Sequence, residues 1–184
     1  MLLRLTLLLT LGGLPFFTSA HNLIPGQPLP PIGVTDRGEL VIAQDKIHYQ
    51  RWNSARLTGR TGIVLHMAGR LAAKESNAAL IQAIENAHFP AATVQITTIV
   101  NTDDAIPGSA MFVRQSLESS KKETPGAQFV VDEKGAVRQA WQLAAGGSAA
   151  VVLDKQGRVR FAKDGALTDE EVRQVIALVQ QLEV

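Results

Sequence analysis

The sequence predicts an α/β domain, a central mixed sheet with helices on both faces and an N-terminal extension. Three observations predict it. Ile63 to Met67 is a nearly continuous apolar run, and Thr93 to Val100 is rich in β-branched residues. Such runs suit strands covered on both faces. Each is followed by a stretch with helical spacing, so two strand–helix steps stand in series. Strand–helix–strand units imply parallel strands with crossover helices, and a late pair of turn-linked runs adds antiparallel edges.

The first twenty residues stand apart from this domain. MLLRLTLLLTLGGLPFFTSA has one early charge, Arg4, then an apolar run to Phe17, and it ends on Thr18-Ser19-Ala20. This is the pattern of a secretory signal peptide cleaved after Ala20. Gly12-Gly13 and Pro15 interrupt the run, and it is shorter than the roughly 20 residues of a spanning helix. The expectation is a signal peptide over 1–20 and a single domain over 21–184. It places the mature chain in the periplasm with no membrane span.

Charge and cysteine narrow the chemistry. Arg4 is the only charge before His21, so of 18 basic and 17 acidic residues, 17 of each fall in the mature region. A neutral exported domain lacks the basic patch that nucleic-acid binding requires. The chain has no cysteine. Thiol catalysis, thiolate metal sites and disulfide exchange are excluded for it.

The elements follow in order. Asn22 to Pro31 is a proline-rich, irregular lead-in. Ile32-Gly33-Val34 and Glu39 to Ile42 flank Thr35-Asp36-Arg37-Gly38, which reads as a hairpin turn. Lys46 to Thr58 has no clean period and reads as loop and short extended pieces. The strand at 63–67 leads to a helix over about Leu71–Ala87, with Leu80, Ile81, Ile84 and Ala87 on one stripe. After the strand at 93–100, Asn101-Thr102-Asp103-Asp104 punctuates, and a helix spans about Pro107–Lys121. FVVDEKGAVR (129–138) and VVLDKQGRVR (151–160) read as two hairpins, each with glycine in its turn. Thr168 and Glu171 form a capping box for a last helix, stapled by Leu167 and Val172, whose face is Val172, Val175, Ile176 and Val179.

This order is the thioredoxin-like plan, and particular residues carry the likeness. PGQPLPPIGVTDRGEL, GIVLHMAGRLAAKE and AAVVLDKQGRVRFAKDG resemble exported thioredoxin-like proteins. TDRGEL, AGR with AKE, TTIVNTDDAIPGSAMFVRQSLES, AVVLDK and FAKDGALT resemble the YtfJ family of bacterial periplasmic proteins over essentially the whole mature chain. The resemblance implies a thioredoxin-like fold and a periplasmic setting, with no established activity. Redox-active relatives carry Cys-x-x-Cys between strand and helix. Laid on that pattern, Leu71 and Lys74 occupy the two cysteine positions, and Ser148 falls where such relatives carry a cis-proline. Neither Leu71 nor Lys74 can exchange a disulfide.

Five residues remain as candidate ligand-binding groups. Arg70 and Lys74 begin a helix, where free backbone amides favour anions. Asn101, Asp103 and Asp104 sit at the end of a central strand, where open α/β folds bind ligands. Two carboxylates there can hold a cation or act as acid and base, but Asp and Asn before a helix are also ordinary caps. His66 and Met67 in an apolar strand fit a packed core better than a copper site. His48 and His88 have no partner at ligand spacing, and a start at His21 is weak evidence for copper. Trp52 and Trp141 fit packing positions. No phosphate loop, serine elbow or zinc-protease helix is present. The reading is no cofactor, no metal site and no catalytic residue, with an unknown protein or small ligand as partner. The alternative is a non-thiol enzyme using Asp103 and Asp104 with Arg70 and Lys74.

Overall fold

The computed structural model describes residues 21–183, so the expected signal peptide lies outside the described residues. One seven-stranded mixed sheet forms the frame, in the order β2-β1-β5-β4-β3-β6-β7. Its strands are β1 (Gly33–Ala43), β2 (Lys46–Asn53), β3 (Thr61–Ala68), β4 (Val94–Asn101), β5 (Gln128–Asp132), β6 (Ser148–Leu153) and β7 (Val159–Asp164). The helices are α1 (Leu71–Ser76), α2 (Ala78–Ala87), α3 (Ala110–Glu123), α4 (Ala136–Trp141) and α5 (Asp169–Glu183). β3, β4 and β5 run parallel, and the remaining pairings are antiparallel.

The mixed sheet with helices on both faces agrees with the reading from sequence. Val64, Ile99, Val130, Ala149 and Val151 point to one face, beneath Val137 and Trp141 of α4 and Leu23 of the lead-in. Ile63, Leu65, Met67, Ala150 and Val152 point to the other, beneath Leu80 of α2 and Val172, Val175 and Val179 of α5. All eight residues of β3 are buried, as its unbroken apolar run requires. Trp52 and Trp141 are both core residues. The capping box is formed, with the Thr168 amide donating to Glu171 at 2.7 Å and the Glu171 amide to Thr168 Oγ1 at 3.3 Å.

Five local expectations are corrected. Thr35 to Gly38 is not a hairpin turn but a bulge inside β1, where the register to β2 shifts between Val34 and Glu39. Gly38 sits there at φ 80, and a Cβ on it would lie 2.1 Å from the Gln50 carbonyl oxygen. The real turn is Gln44-Asp45, at φ 52 and 59, which suits a two-residue loop with both residues left-handed. Lys46 to Leu57 is accordingly strand β2 and a 3-10 turn, not loop.

The helix after β3 breaks at Asn77 into α1 and α2. The second half of FVVDEKGAVR is helix α4 rather than a strand. Gly135 turns the chain at φ 62, and the buried Asp132 carboxylate accepts the Ala136 and Val137 amides at 3.0 and 2.8 Å. Helix α3 starts at Ala110, three residues after Pro107.

Candidate functional site

The carboxyl ends of β3 and β4 are stitched to two loops by backbone bonds. The Gly69 amide donates to the Asn101 carbonyl at 2.8 Å, and the Ala68 amide to the Gly147 carbonyl at 2.9 Å. The β3–α1 loop, the β4–α3 loop and the α4–β6 loop therefore meet at one edge of the sheet, the crevice where open α/β folds place ligands.

Asn101 is wholly buried there and organises the polar groups. Its Oδ1 accepts the Asp103 amide at 3.0 Å, and its Nδ2 donates to Asp104 Oδ2 at 2.9 Å. The same Asp104 oxygen accepts the Gly146 amide at 3.1 Å. Arg138 Nε stands 3.2 Å from it, and Arg138 Nη2 lies 3.9 Å from Asp103 Oδ2. The Arg138 Nε–H is not aimed at the carboxylate and makes no hydrogen bond, so this pair is Coulombic. Arg70 turns back over the cluster and donates from Nε to the Asp104 main-chain carbonyl. Arg138 is thus the cation paired with both acids, while Arg70 bonds only the main chain there.

His66 lies in the core on the α4 side of β3, 2% exposed. Burial dominates its titration and pushes it down to about 4; Asp104 pulls it up and Arg138 pushes it down. Its Nε2 has no hydrogen-bond partner among the described residues.

Four of the five sequence candidates meet at this edge: Arg70, Asn101, Asp103 and Asp104. The expected role of the acids is corrected. Neither caps α3, whose N-cap is Ser109 and makes no side-chain bond. Lys74 does not join the acids. It is exposed on α1, and among the described residues no ion pair holds it. Arg138 was missed because it falls in a segment that reads as a strand. Gly135 was a signal for it: a Cβ there would sit 3.3 Å from Asn101 Nδ2 and from Asp103 Oδ2. Among the described residues, no group of three or more His, Asp or Glu is placed to hold a metal.

Beside the cluster a groove of about 880 Å³ opens between α2 and α3. Gly69, Arg70, Leu71 and Lys74 border one end; Ile96, Thr98 and Phe129 lie along the strands beneath.

The residues over 23–182 match the family described as bacterial protein of unknown function (YtfJ_HI0045). The chain belongs to the YtfJ family. It is 58% identical to the uncharacterized protein YtfJ of Escherichia coli K12 over 182 residues, 99% of each chain. It is 46% identical to an uncharacterized Haemophilus influenzae protein over 165 residues, 90% of each. Two solved structures share its fold. A candidate protein disulfide isomerase from Bacteroides thetaiotaomicron matches at TM-score 0.63 and 14% identity, over 88% of this chain and 91% of that one. A thiol-disulfide isomerase from Corynebacterium glutamicum matches at TM-score 0.56 and 14% identity, over 86% and 96%. The fold is thioredoxin-like, in a YtfJ-family chain that has no cysteine.

Proposed function

We propose that this YtfJ-family chain is a periplasmic binding module, exported by its first twenty residues and built as one thioredoxin-like domain. One observation carries the reading. Leu71 and Lys74, at the positions that hold cysteines in redox-active relatives, sit at the mouth of an open, largely apolar groove. Pockets that take small molecules commonly enclose about 300–1,000 Å³ with apolar walls and a few polar groups. The groove fits that description and offers no thiol. Among the described residues no helix is long and apolar enough to cross a membrane.

The alternative is a non-thiol enzyme using Asp103 and Asp104 with Arg70 and Lys74. The polar cluster speaks against it. One oxygen of Asp104 already faces Asn101, Gly146 and Arg138, and Lys74 stands apart. A general acid or base needs a free lone pair within reach of substrate.

The test is a thermal-stabilisation screen of the purified protein with anions, metals and small metabolites. A ligand at a hundred times its dissociation constant adds about 2.7 kcal/mol, a visible shift in melting. The reading expects a hit that Arg70→Ala or Lys74→Ala weakens. Turnover of any screened compound, abolished by Asp104→Asn, would replace it with the enzyme reading.

A further inference from the structure

The groove has an unusual floor. β4 is the middle strand of seven, with three strands on either side. A middle strand is ordinarily covered on both faces. Ile96 and Thr98 of β4 and Phe129 of the neighbouring β5 are nevertheless only half-buried. The sheet is only partly covered at its centre on this face.

The cause is α3. A surface helix ordinarily buries an apolar stripe. Across the fourteen residues of α3 the only buried residue is Lys121, whose ammonium reaches the Pro125 and Ala127 carbonyls at 2.8 and 2.6 Å. Val113 and Leu117 reach only part-way to the sheet, and Phe112 is 64% exposed at the rim. α3 is pinned at its C-terminal end by Lys121 and tied over β1, β2 and β5 through Glu118 to Tyr49 and Arg114 to Glu133, so it leaves β4 only partly covered. The slot follows β4 from Val94 to Val100, roughly 20 Å at 3.3 Å per residue.

The two ends differ in charge. At the Val94 end, Arg60 is committed to Ala91 and Gln95, and Glu85 stands nearby. At the Val100 end the charged lining groups are Arg70 and Lys74, both cationic. Arg70 bonds the Asp104 carbonyl through Nε; among the described residues the Lys74 ammonium makes no ion pair. Leu71, 70% exposed, lies between them.

We propose that the slot binds a long-chain aliphatic carboxylate, the chain along β4 and the head group at Lys74 and Arg70. The proposal rests on the binding-module reading and names its ligand class. An extended peptide fits the slot less well. β4 is paired on both edges, so strand addition is closed. Of the polar lining, Arg60, Gln95, Gln128 and Glu39 bond one another and Lys121 bonds two carbonyls, which leaves chiefly hydroxyls such as those of Thr98, Ser116, Ser120 and Thr124, whereas buried peptide groups each require a partner. An alkyl chain requires none, and the unpaired ammonium complements a carboxylate.

The experiment is calorimetric titration of the purified protein with palmitate below its micellar range, alongside hexadecanol, octanoate and neutral phosphatidylcholine vesicles. The expected result is one saturable palmitate site with a negative heat-capacity change. Octanoate should bind at least tenfold more weakly. Lys74→Glu should weaken palmitate at least tenfold and leave hexadecanol unchanged. Thr98→Phe, which fills the floor, should abolish chain binding while the melting curve reports an intact fold. If that variant does not fold, Lys74→Glu still decides. Palmitate binding unaltered by Lys74→Glu would overturn the proposal, as would binding only to vesicles or no saturable binding. Should palmitate fail while another compound in the stabilisation screen binds through Arg70 or Lys74, the ligand class falls and the binding-module reading stands. If no compound in that screen binds, both fall.

Discussion

Asp104 Oδ2 and Arg138 Nε stand 3.2 Å apart, joining the loop after β4 to helix α4 across the edge where thiol chemistry sits in redox-active relatives. Asp104 is mostly buried, with 12% of its side chain exposed, and the hydrogen bonds to it come from Asn101 and Gly146. The cluster holds three loops in register.

Removing the arginine should loosen that edge and be felt at His66. Arg138→Gln leaves a mostly buried carboxylate without its cation, at a cost of about 1–3 kcal/mol. Because the arginine pushes the His66 imidazole down, its titration should move upward from about 4. Asp104→Asn should move it the other way. Histidine ring shifts followed by NMR against pH check both directions, and urea midpoints check the stability.

His66 should also make the fold acid-sensitive. Its folded value, about 4, is below the ordinary 6.5. The unfolded chain therefore binds the extra proton first as pH falls. Stability from this residue is complete above pH 6.5 and is lost progressively down to about pH 4. At 1.36 kcal/mol per unit the loss over that window reaches about 3 kcal/mol. His66→Leu should flatten the slope of unfolding free energy between pH 7 and pH 4.5. Glu171, held down to about 2 by Lys163 and the Thr168 amide, acts in a separate window, losing its contribution only as pH falls from about 4.5 toward 2.

Gly38 should tolerate no side chain. It combines a positive φ with the Gln50 carbonyl in the space a Cβ would fill. Gly38→Ala must move backbone on β1 or β2, and a loss above about 1 kcal/mol is expected. Comparing the chemical denaturation midpoint with that of Gly59→Ala isolates the contact. Gly59 has a similar φ of 94 and open space around it.

Asp132 should matter more than an ordinary surface cap. Its carboxylate is fully buried and accepts two amides at the start of α4. Asp132→Ala leaves both without a partner, at a cost of about 2–4 kcal/mol. Far-UV circular dichroism through a urea titration would measure it.

The parts legible in the sequence are those where pattern and burial coincide. Thr61 to Ala68 is apolar because both faces are covered, and α5 carries its cap and stripe in adjacent residues. The illegible parts depend on distant partners. The turn at Gln44-Asp45 has no glycine or proline to announce it, whereas TDRG looks like a turn and is a bulge. GAVR looks like strand until Asp132 is seen to cap it. The candidate site was half legible for the same reason. Asn101, Asp103 and Asp104 lie together in sequence, but Arg138 reaches them from an element that sequence pattern assigns to a strand. The slot was not legible, since it arises from how much of β4 is left uncovered by α3.

Ligand binding is assigned to the groove over β4, beside Arg70 and Lys74. The most direct measurement is a backbone amide chemical-shift map recorded as palmitate, or another hit from the stabilisation screen, is added to isotope-labelled protein. Shifts are expected at Gly69 to Lys74, along Ile96 to Val100, and on Phe112 to Leu117, with the titration moved at least tenfold by Lys74→Glu. Shifts centred instead on the opposite surface, around Leu29, Ser54 and Gly157, or a titration that Lys74→Glu leaves unchanged, would contradict that assignment.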